Sequence, residues 1–83
     1  MTLEISDQAA AAIELCRKLN RKAAGQYVAR GIAPADAVIG AIYSAHDLAT
    51  DLHTGDGHAA IEYLRTALDM MERQLLERAR TAN

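Results

Sequence analysis

The residues best equipped for chemistry are one cysteine and three histidines: Cys16, His46, His53 and His58. Imidazole and thiolate suit a soft divalent ion such as zinc, and a Cys–His pair can also produce an activated thiolate. His46 and His53 stand seven residues apart, two turns along one face of a helix. Counting out from the turns of a three-helix bundle sets Cys16 and Tyr63 about level with His46. His53 and His58 then flank the second turn. Zinc or a similar ion at these four residues is the one cofactor the sequence raises, and the spacing gives it little support. There is no Cys-x-x-Cys, Glu-x-x-His or His-Glu-x-x-His, and no outer-shell partner can be assigned. Ordinary structural roles fit as well. A histidine in the last turn of a helix favours the negative end of its dipole, which suits His53, and a core or interface histidine with one hydrogen bond suits His46.

The basic cluster Arg17, Lys18, Arg21 and Lys22 is the arrangement that meets nucleic-acid phosphates. The net charge of −2, and the absence of aromatic residues interleaved for base stacking, argue against that use. A helix-turn-helix across Gly31 to Ile42 fails on chemistry. Its second helix offers alanine, valine, isoleucine and glycine with one aspartate, nothing that reads a base edge. A regulator using the basic face is therefore the weaker alternative. Asp36, Asp47, Asp51 and Asp56 do not form a calcium loop and read as a solvated face. No phosphate-binding glycine loop and no Gly-x-Ser-x-Gly turn occurs, so the balance is against an enzyme.

Charge is unevenly placed. Residues 1–30 hold five basic and three acidic groups, residues 31–64 none and five, and residues 65–83 four and three. Composition limits the core. Leu, Ile and Val number 17 and Phe is absent, while 18 residues are alanine, the best helix former but a poor source of buried area. Stability must come from close helix approach or from a second subunit. A homo-oligomer is expected, with a dimer as its form. The single cysteine excludes an intrachain disulfide, reads as a small buried hydrophobe, and fits a reducing cytoplasm. No apolar run approaches a membrane span and no signal-peptide pattern opens the chain, so no membrane partner is expected.

The elements that must position these residues are set by two clusters of chain breakers, Gly31-Ile32-Ala33-Pro34 and Thr54-Gly55-Asp56-Gly57. Gly31 and Gly55 suit helix ends, Pro34 a first turn, and Asp56 an N-cap. The spacing predicts three helices near 5–30, 34–54 and 57–80 in one domain, 1–83: an all-α, up-down-up antiparallel three-helix bundle completed by homo-oligomerisation. Helix 1 carries an apolar stripe from Ile5 through Cys16 to Ala23. Gly25 leaves open whether it runs unbroken to Arg30. Helix 3 should bury Ala60, Ile61, Leu64, Ala67, Leu68, Met71 and Leu75.

Helix 2 differs from both. Its apolar residues cover an arc of about 200° at 100° per residue, too wide for one neighbour. Ala37, Ala41, Ala45 and Ala49 recur every fourth position and form a shallow groove that allows close, steeply crossed packing. These four alanines, with Tyr63 and Met70 on helix 3, are the candidate interface. The function expected is a small, non-catalytic helical interaction module that self-associates or binds a partner protein. The alternative is a metal or small-ligand site, catalytic or purely binding, around His46, His53 and Cys16.

Overall fold

The computed structural model describes residues 5–81. Among them are three helices, α1 (Asp7–Ala29), α2 (Pro34–Leu52) and α3 (Gly57–Thr81), and no strand. The all-α, three-helix reading holds, with helix, turn, helix, turn, helix in the order an up-down-up bundle requires. The helix ends differ from expectation by one or two residues, for reasons of capping.

Helix α1 starts at Asp7 rather than at Ile5 because Ser6 is its N-cap: extended, at φ −70° and ψ 165°, its hydroxyl accepts from the Ala9 N–H at 3.1 Å. The helix is continuous through Gly25 and stops at Ala29. Gly31, at φ 89°, takes the left-handed position, and the Ile32 N–H donates back to Tyr27 O at 3.1 Å. Arg30 thus lies just beyond the helix as its C-cap and is exposed. Pro34 opens α2, where its missing N–H costs nothing.

The second turn departs from the reading that gave the left-handed position to Gly55 alone. Thr54 occupies it first, at φ 54°, followed by Gly55 at φ 90°. The Gly55 N–H donates to Thr50 O at 2.8 Å, closing the end of α2 two residues earlier than expected. Asp56 then caps α3 as its sequence position implies. One carboxylate oxygen, Oδ1, accepts from both His58 and Ala59 N–H at 3.0 Å.

The chain divides within α2 into two compact units, one ending at Tyr43 and the other beginning at Ser44. In the first, α1 has no buried residue; Ala9, Ala23 and Ala24, with Ala37 of α2, are half-buried and the other described residues exposed. In the second, Ala49 and Ala60 are buried, and His46, Thr50, His53, Tyr63, Leu64, Ala67 and Met70 are half-buried around them.

Two sequence expectations are corrected here. Cys16 is exposed, not a buried hydrophobe, because α1 acquires no buried face at all. On α3 Ala60 is buried as expected, but Ile61, Leu68, Met71 and Leu75 are 39–63% exposed, and among the described residues none from Met71 to Thr81 is even half-buried. The α2 segment in this unit, Ser44 to Leu52, is only about 13 Å long at 1.5 Å per residue, so it can cover little of the 25-residue α3.

Candidate functional site

The histidines gather at the junction of α2 and α3. His46 Nε2 donates to Gly57 O at 3.0 Å, since a carbonyl can only accept, which leaves Nδ1 without that proton in the neutral ring. Gly57 sits close under this ring: a Cβ there would lie 3.6 Å from His46 Cε1, an ordinary contact. The Gly57 carbonyl belongs to the first turn of α3, so this bond ties the start of α3 to the body of α2.

His53 follows α2 directly, and its Nδ1 donates to Ala49 O at 2.7 Å. That oxygen is one of the last carbonyls of the helix, which also accepts the His53 backbone N–H at 3.1 Å. The bond satisfies a helix end and fixes the ring with Nε2 as its other nitrogen. Against the ring stands Tyr63, edge to face, with centroids 5.2 Å apart and planes inclined by 61°.

Counting from the turn had set Tyr63 level with His46, and this is corrected. His46 meets Gly57 and His53 meets Tyr63, so the contacts run in the same order along both helices. Two helices lying side by side in antiparallel order would reverse it. The observed order fits a short crossing contact, and the two residues of this unit that are buried among those described, Ala49 and Ala60, are small enough to permit close approach. Thr50 Oγ1 is buried in the same region and has no hydrogen-bond partner among the described residues.

The Asp56 carboxyl is held below its ordinary value of 3.8. The Ala59 N–H is the main cause; desolvation opposes it, and the His58 N–H and the charges of His58 and His53 add smaller lowering effects. Its task is capping, with acceptor oxygens aimed at backbone donors.

The metal-ligand candidates do not assemble into one cluster. His46 and His53 share the α2–α3 junction, His58 is exposed in the first turn of α3, and Cys16 is exposed on α1 in the other unit. Among the described residues no group of three or more His, Cys, Asp or Glu side chains is placed to hold a metal ion. Of the basic candidates, Arg17 pairs with Glu14 at 3.0 Å, and Lys18, Arg21 and Lys22 are exposed without an ion pair among the described residues. An open depression beside the last turns of α3, lined by Gln74, Glu77, Arg78, Arg80 and Thr81, lies about 30 Å along that helix from His58 and shares nothing with the histidines.

Of the interface candidates, Ala49 is buried, Ala37, Ala45, Tyr63 and Met70 are half-buried, and Ala41 is exposed. The larger surface is apolar and lies outside this set. Among the described residues eighteen large hydrophobic side chains are at least 39% exposed, including Leu15, Leu19, Val38, Ile39, Ile42, Leu48, Leu52 and Leu68. No helix is long and apolar enough to cross a membrane among the described residues. The chain matches no protein-family model, no curated protein and no solved structure.

Proposed function

We propose that this chain is a small non-catalytic helical assembly module whose stable form is an oligomer, a dimer being the smallest that serves. The carrying observation is the contrast, among the described residues, between two buried apolar residues, both alanines, and eighteen large apolar side chains left at least 39% exposed. Spread over all three helices, those side chains present far more apolar surface than the two buried alanines remove from water, and association is the ordinary means of covering it. Monomers seldom expose contiguous patches beyond a few hundred Å².

Folding and association are then one process. The melting midpoint of the purified chain should rise steadily with protein concentration, because dilution favours the unassembled and unfolded state. A midpoint that stays fixed over a hundredfold dilution, with the helical signal intact, overturns the reading.

A further inference from the structure

Exposed leucines adjoin unpaired charged rows on two different helices, and the two sets are complementary. On α1, Lys18 and Lys22 are one turn apart, and beside them run Leu15 and Leu19, 58% and 59% exposed. On α2, Asp47 and Asp51 are one turn apart beside Leu48 and Leu52, 72% and 66% exposed. The ion pairs among the described residues are Arg17–Glu14 and Arg65–Glu62, so neither row has a salt-bridge partner there. Like charges one turn apart repel, and each row would gain from a row of the opposite sign.

Rotation about the helix axis sets the direction of such a pairing. At 100° per residue the lysine row precedes the leucine row of α1 by about 60°, and the aspartate row precedes the leucine row of α2 by about 100°, in the same rotational sense. When two helices meet through their leucine rows, flanking rows displaced in the same sense face each other only if the helices run antiparallel. A parallel pair would set them on opposite sides of the seam.

We propose that the chain forms a two-fold symmetric homodimer in which α1 of each copy lies antiparallel on the C-terminal half of α2 of the other. Leu15 and Leu19 pack on Leu48 and Leu52, and Lys18 and Lys22 face Asp47 and Asp51. This rests on the assembly reading above. The occupant is a second copy because both halves of the seam are written in one chain, and a two-fold axis uses each half twice and leaves no open end. Leucines form the dry centre and charges the flank, where they set partner and direction more than affinity.

The test is a charge swap between two variants, Lys18→Glu/Lys22→Glu and Asp47→Lys/Asp51→Lys, followed by sedimentation at low salt. Each variant alone should self-associate roughly tenfold more weakly or worse, whereas an equimolar mixture should form a heterodimer within about threefold of wild-type affinity. Mixing restores the contact only if it runs between chains, since each variant keeps its own mismatch within itself. A mixture no tighter than its components overturns the proposal. An oligomeric wild type indifferent to both reversals overturns this seam and leaves the assembly reading standing, while a monomeric wild type ends both.

Should reversal melt the helices, the neutral replacements Lys18→Gln and Asp47→Asn serve instead. Their combined loss of affinity should be smaller than the two single losses together, as for groups in contact, and strict additivity overturns the seam.

Discussion

Thr54 is the residue at which local chemistry and structure disagree. A β-branched side chain at φ 54° crowds its own backbone, whereas the matching position after α1 holds Gly31 at φ 89°. The hydroxyl donates to His53 O at 2.7 Å, a local bond that offsets part of the strain. Thr54→Gly should raise stability by about 0.5–1 kcal/mol in urea denaturation at fixed protein concentration, less than the full left-handed penalty because glycine also loosens the unfolded chain. A loss of stability would assign the hydroxyl bond the larger share. Asp56 yields a prediction in pH. Its carboxyl titrates lower in the folded chain than its ordinary value of 3.8, so its stabilisation is complete above that value and disappears as pH falls through the folded value. Asp56→Ala should therefore melt lower than wild type at neutral pH and lose less on acidification from about pH 5 to 3. Parallel acid limbs for the two proteins would contradict the capping role. Both Asp56 and Gly31 could be read from the sequence because each stands where its own preference is met. Thr54 could not, since a propensity argument gives the left-handed position to the nearest glycine, Gly55.

Among the elements, the three helices were legible because alanine content and chain breakers agree on where helices run and stop. Their mutual register was not. The contact of His46 with Gly57 depends on how closely two small-residue surfaces approach and at what angle they cross, and periodicity along one helix carries neither quantity. The same applies to Cys16, placed on a buried stripe by its spacing and exposed in the structure, because a stripe is buried only where something covers it. One hydrogen bond for His46 and a helix-end role for His53 were legible, but not the acceptors, Gly57 O and Ala49 O. At the crossing, Ala60 has no exposed surface. Ala60→Leu should destabilise by roughly 1–3 kcal/mol through overpacking, measured by thermal or urea unfolding, although leucine propagates a helix almost as well as alanine. An unchanged or raised midpoint would mean that α2 and α3 do not cross there.

At the scale of the whole molecule, the sequence already states the shortage that the structure displays. Seventeen Leu, Ile and Val residues with no Phe are few for a core, and eighteen alanines fill helices without filling volume. What composition does not contain is where the remaining apolar residues go: among those described most stay on the surface of the single chain, where the proposed association would cover them. Sedimentation equilibrium of the wild-type chain, near neutral pH and at low micromolar concentration, tests this most directly. A folded, helical species of at least twice the 9.0 kDa chain mass is expected, dissociating and unfolding together on dilution. A folded, helical species holding the mass of one chain throughout that range would contradict it.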